Sequence, residues 1–239
     1  MGPERMTPEY LQPLAALGSW QTLRVPVHSE SEARDVLDAV QPYPTLSVLI
    51  LIEKPDLGLV TSVLPVLLKA WPGRLAGIEL CNECDLQNVS AQDFGGFVWA
   101  AYLQLTHAGF TGDILSGGIY TVDDETLNYL VAAMVVGPWP QDITLGLHWY
   151  GDVSDHWLAE VQAFGHRTAV TEYGIPSRTP AGDAAQVAYL TSQTAAFQRL
   201  GASYALIYQC CSGPSASNLD NFGLWRFDGS QKPAFSLLK

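Results

Sequence analysis

Two carboxylates end strand-like apolar runs and sit among polar neighbours: Glu83, following Asn82 in GIELCNECD (77–85), and Glu172, in TAVTEYG (168–174). A third run, ITLGLHW (143–149), ends in His148 and Trp149, with Tyr150 next. Two carboxyl groups, an imidazole and a phenol suit proton transfer paired with attack at a carbon–oxygen bond, such as the bond between two sugars. They can cooperate only if distant segments deliver them to one place. A parallel barrel does this, because all its strands end at the same mouth.

The segments that would position them follow a regular order. Strand-length apolar runs occupy 23–27, 46–52, 77–81, 113–119, 143–149, 168–173 and 204–210. Near-continuous apolar content marks strands covered on both faces, so seven parallel strands are expected. Ser29 with Glu32, Ser90 with Asp93, and Thr121 with Asp124 fit the capping box of a helix start, and Gly109, Gly165 and Gly201 fall where helices should stop. The strand–helix unit recurs about every thirty residues, as parallel crossovers require. No linker or low-complexity stretch divides the chain, so one domain over 1–239 is expected. A helix-like segment, 8–17 with Thr7 as cap, precedes the first strand. The predicted fold class is therefore α/β, a (β/α)8 TIM barrel whose first strand is missing or rudimentary, leaving an edge that would need cover.

Composition narrows the partners. Twelve Lys and Arg against 24 Asp and Glu give a formal charge of -12, which offers no footprint for nucleic acid or an anionic membrane. No stretch is long and apolar enough to be a membrane helix, and the first residues, MGPERMTPEY, lack the basic and apolar regions of a signal peptide. Localisation is otherwise unmarked. Seven Trp and ten Tyr could stack on sugar faces, although core packing accounts for most such residues.

The string Glu79-Leu80-Cys81-Asn82-Glu83 resembles the Glu-x-x-Asn-Glu that ends the fourth strand of clan A retaining glycoside hydrolases, the group that includes families 5 and 39. Thr171-Glu172-Tyr173-Gly174 resembles their nucleophile segment on the seventh strand, His148-x-Tyr150 their sixth-strand motif, and Arg24 the arginine of the second strand. Aligned so, 23–27 is the second strand and the first is absent. The resemblance runs from Leu23 to the closing segment 223–235. It implies a carbohydrate substrate, no cofactor and no metal. It also implies Glu83 as acid/base, Glu172 as nucleophile held by Arg24 and Tyr150, Asn82 on the hydroxyl beside the anomeric carbon, and His148 orienting substrate or carboxylates. Three departures stand out. Cys84 replaces a proline, the third strand lacks a histidine, and the eighth lacks a tryptophan, for which Tyr208 or Gln209 would substitute as a polar floor.

Other readings compete residue by residue. Glu79 shares the inward parity of Cys81 and Glu83 along an extended strand, so it is expected to be a buried structural carboxylate, with Arg24 as partner of Glu79 or Glu172. Trp149, with Trp139 and Trp225, could form a sugar platform or simply pack. His28, His107, His156 and His166 lack convergent spacing. Cys81, Cys84, Cys210 and Cys211 have the arithmetic of a zinc site, but the strands carrying the two pairs are not neighbours in a barrel, so buried free thiols are expected. The main functional alternative is a carbohydrate-binding protein that lost catalysis, and an inverting hydrolase is the variant of the enzyme reading. Oligomeric state is not fixed, the uncovered edge being one route to self-association.

Overall fold

Apolar runs without alternation become strands covered on both faces. The computed structural model describes residues 6–19, 21–120, 122–151, 154–208, 221–226 and 230–238. Helix α1 (Pro8–Ala15) leads into β1 (Gln21–Pro26), α2 (Glu30–Val40), β2 (Leu46–Ile52), α3 (Leu57–Leu67), β3 (Leu75–Leu80) and α4 (Ala91–His107). Then come β4 (Asp113–Ile119), α5 (Asp124–Val136), β5 (Thr144–Trp149), α6 (Asp155–Ala163), β6 (Thr168–Tyr173), α7 (Pro180–Leu200), β7 (Ala205–Ile207) and a 3-10 turn (Pro233–Leu238). Among the described residues the sheet has seven strands in the order β1 to β7, each parallel to the next. This is a nearly closed barrel ringed by helices, as expected of a (β/α)8 fold short of one strand.

Strand β2 shows how the sequence builds two cores at once. Val48, Ile50 and Ile52 face outward into the large apolar layer beneath the helices, whereas Leu49 faces inward and packs with Leu115 and Ala169. Period-two alternation thus survives inside a run that is apolar throughout. Each such buried Leu, Ile or Val stabilises the fold by roughly 1.5–3 kcal/mol relative to exposure. Helix starts follow the expected chemistry at Ser29 and Ser90, whose hydroxyls accept the backbone N–H of Glu32 and Asp93. Helix α5 differs. Its cap is Asp123, in a reciprocal box with Thr126, and Thr121 lies outside the described residues.

Beside β1 the two ends of the described chain pack against each other. Leu11 and Leu14 of α1 are buried, and Tyr10 meets the edge of Trp225, which in turn packs against Phe235 with ring centres 4.6 Å apart. The side chains of Ser19 and Gln21 donate to the Leu238 carbonyl at 3.3 and 3.2 Å. The last strand is shorter than the expected 204–210, and Gln209 and Cys210 lie outside the described residues. No described helix is long and apolar enough to cross a membrane.

Candidate active site

At the carboxyl ends of β1, β3, β5 and β6 the sequence-predicted residues come together around one guanidinium. Arg24, on β1, donates through Nε to Glu79 Oε2 and through Nη1 to Glu172 Oε1. Its Nη2 reaches Asn82 Oδ1 at 2.7 Å and His148 Nε2 at 3.4 Å. Glu79 is fully buried, and its other oxygen accepts from Thr171 at 2.8 Å. It is therefore a carboxylate anchored inside the barrel, and Arg24 serves both Glu79 and Glu172.

His148 links the two candidate catalytic groups. A guanidinium only donates, so Nε2 of His148 is the acceptor toward Arg24 and Nδ1 carries the ring hydrogen. That Nδ1 donates to Glu83 Oε1 at 2.8 Å and lies 3.7 Å from Glu172 Oε2. Glu83, His148 and Glu172 each present an atom within 4.8 Å of the other two. Such spacing could also suit a metal ion, but Glu172 already shares the charge of Arg24, and a cation placed there would be repelled by the guanidinium.

The two carboxylates are treated differently. Burial pushes the Glu172 carboxyl up, yet the charge of Arg24 and the hydrogen bonds from Tyr150 and Arg24 hold the group below the usual range. Glu172 is thus ionised at neutral pH. The Tyr150 hydroxyl donates to Glu172 Oε2, and burial together with the Glu172 charge pushes the phenol upward, so it keeps its proton. Glu83 is the more open, its side chain 23% exposed against 9% for Glu172. Rings from Tyr120, Tyr208 and Phe222 flank Tyr150 with centres about 6 Å away, giving the mouth an aromatic wall.

Several placements correct the sequence reading. Trp149 points away from the mouth: next to inward His148 on an extended strand, it must face outward, where it packs against Phe197 of α7. Trp139 and Trp225 are buried against Phe94 and Phe235, so none of the three forms a platform. Cys81 and Cys84 are joined in a disulfide instead of being free thiols. Positive φ at Cys81, 96°, and at Glu83, 47°, ends the strand parity and folds the chain back. The two Cα atoms come to 6.1 Å, whereas an extended strand would hold them about 10 Å apart. Gln209, Cys210 and Cys211 lie outside the described residues.

Sequence reasoning also missed Gly118. A Cβ at this position would stand 2.1 Å from His148 Nε2, so the ring occupies space that only glycine leaves. The signal was present as paired glycines within a strand, which mark close approach. Asp85 was missed as well. Its carboxylate accepts the Tyr120 N–H at 3.2 and 3.3 Å, joining the loops after β3 and β4.

No protein-family model and no curated sequence matches the chain. Solved structures do. The chain is similar to a family GH128 (subgroup II) endo-β-1,3-glucanase from Pseudomonas viridiflava, with TM-score 0.72 and 16% identity over 99% of this chain and 94% of that one. It is also similar to a family 17 β-1,3-glucanosyltransferase from Rhizomucor miehei, with TM-score 0.62 and 15% identity over 88% and 84%. A β-mannanase from Thermomonospora fusca gives TM-score 0.66 and 17% identity over 96% and 83%. At these identities the likeness establishes architecture: the chain has the TIM-barrel fold of these glycoside hydrolases, with seven parallel strands among its described residues.

Proposed function

We propose that this chain, acting as one catalytic unit, is a retaining β-glycoside hydrolase that cleaves β-linked glycans by double displacement. The observation that carries this reading is the approach of two differently held carboxylates to His148, with facing atoms within 4.8 Å. Such an approach of one oxygen from each is compatible with the roughly 5–5.5 Å between the carboxyl groups of retaining pairs. Glu172, ionised and held by Arg24 and Tyr150, attacks the anomeric carbon while Glu83 gives a proton to the departing oxygen. The resulting glycosyl ester is then opened by a water from which Glu83 takes a proton. His148 occupies one oxygen of Glu83 and leaves the other to face the leaving group. Asn82 accepts from Arg24 through Oδ1, so its amide hydrogens are left for the neighbouring sugar hydroxyl.

The structural neighbours direct the choice of substrate. Two of them are described as acting on or transferring β-1,3-glucan units, and the mannanase is known in complex with mannotriose. β-1,3-Glucan and β-mannan oligosaccharides are therefore the first candidates. The test is incubation with 2-fluoro glucosides and mannosides followed by mass analysis of the peptide containing Glu172. A covalent adduct on Glu172 supports the assignment. Oligosaccharide binding with neither adduct nor turnover would favour a sugar-binding protein instead.

A further inference from the structure

The proposed acid/base sits inside a four-residue covalent ring. Cys81 and Cys84 bracket Asn82 and Glu83, and both cysteines are buried. Within that ring Cys81 and Glu83 have φ of 96° and 47°, a region that residues with a Cβ rarely adopt. Hydrogen bonds also hold the loop: Cys81 N–H to the Ile52 carbonyl at 2.7 Å, Asn82 N–H to Glu53 at 3.1 Å, and Glu83 N–H to Gly118 at 2.7 Å. These fix the peptide units on the side of β2 and β4. The bond between the sulfurs closes the third side, because it ties the end of the loop to its beginning and excludes extended conformations between them.

We propose that the Cys81–Cys84 disulfide is a positioning element for Glu83: it holds residue 83 in the left-handed region that delivers its carboxylate to His148 Nδ1. The role rests on the hydrolase reading for its catalytic consequence but not for its structural one. Reduction breaks the sulfur–sulfur bond, with each sulfur gaining one electron and one proton, and the two thiols of an added dithiol become a disulfide in exchange. The freed loop can then relax toward ordinary backbone angles, which withdraws the carboxylate from His148. Glu172 is held directly by Arg24 and Tyr150, which lie outside the ring, so the nucleophile keeps its place, and the Asn82 contact to Arg24 is a single bond at the far end of that guanidinium.

The experiment compares oxidised full-length protein with the same protein reduced by dithiothreitol and with the Cys81→Ala/Cys84→Ala double variant. Mass analysis of the alkylated peptide verifies reduction, and circular dichroism verifies folding. The first readout needs no substrate: the NMR signal of the His148 Nδ1–H proton should shift in both altered forms and return on reoxidation of the reduced one. The second is the leaving-group split. Turnover of aryl glycosides with poor leaving groups should fall by about tenfold or more, as loss of a general acid implies, while activated aryl glycosides keep their formation of the glycosyl ester. An unmoved His148 signal in both forms overturns the proposal, as does equal loss on both substrate classes. A shifted His148 signal in a protein that turns over no glycoside upholds the positioning and rejects the hydrolase assignment instead.

Discussion

Replacing Arg24 by methionine is the most discriminating perturbation, because one side chain neutralises two buried carboxylates. Glu79 is fully buried and the Glu172 side chain is 9% exposed, so neither can turn to solvent when the cation is removed. Breaking a buried ion pair by deleting one partner costs about 3–5 kcal/mol. For a chain of this size that is roughly 6–20 °C in melting temperature. With Arg24 gone, the largest remaining influence on Glu172 is burial, which pushes its carboxyl upward. The sign of the pH effect follows. In the native protein the depressed Glu172 contributes stability above the ordinary carboxylate value of about 4.3, and loses it as pH falls through the depressed value. In Arg24→Met the folded state instead favours the protonated acid, so the deficit is full at neutral pH and narrows as the solution is acidified. Urea unfolding of both proteins across acid to neutral pH measures this directly, and the acid limb of kcat/KM should move upward in parallel. A deficit that is constant with pH, or an acid limb that stays in place, would refute the assignment of Arg24 as the charge that keeps Glu172 ionised.

Two further substitutions test the same site. Tyr150→Phe removes a charge-assisted hydrogen bond, of the order of 1.5–3 kcal/mol. It should raise the Glu172 carboxyl toward its ordinary value, lower kcat/KM by about tenfold or more and shift the acid limb upward, all visible in one pH–rate series. Gly118→Ala places a Cβ against His148, whose side chain is fully buried and cannot move aside freely. A stability loss of about 1–3 kcal/mol from overpacking should accompany a displaced His148 NMR signal and reduced turnover. Gly96→Ala, in α4 where nothing lies within 4 Å of the added atom, serves as the contrast and should be neutral or slightly stabilising.

Much of the site was legible because parallel strands all end on the same side. Once 77–81, 143–149 and 168–173 were read as strands, Glu83, His148, Tyr150 and Glu172 had to share one mouth, and in the structure they do. Arg24 was legible as a buried cation, but not its simultaneous hold on Glu79, Glu172 and Asn82, since that depends on the width of the closed barrel. The outward face of Trp149 was available from parity with His148, and only its chemical suitability for sugar stacking argued otherwise. The cap of α5 moved from Thr121 to Asp123, as helix boundaries commonly shift by a residue or two.

By itself the sequence determined the order and character of the elements, because a run of apolar residues between polar turns is a local property that forces burial wherever the chain goes. It also indicated the direction of the strands, since a strand–helix unit repeating about every thirty residues is the length that a parallel crossover needs. Only the tertiary structure decided the bend at Cys81 that closes a disulfide around Glu83, the vacancy at Gly118 that admits an imidazole, and the packing of Tyr10 from one end of the chain against Trp225 and Phe235 from the other. Each of these depends on which surfaces meet across the barrel, and such meetings are fixed by the packing of distant segments rather than by the residues beside them in the chain.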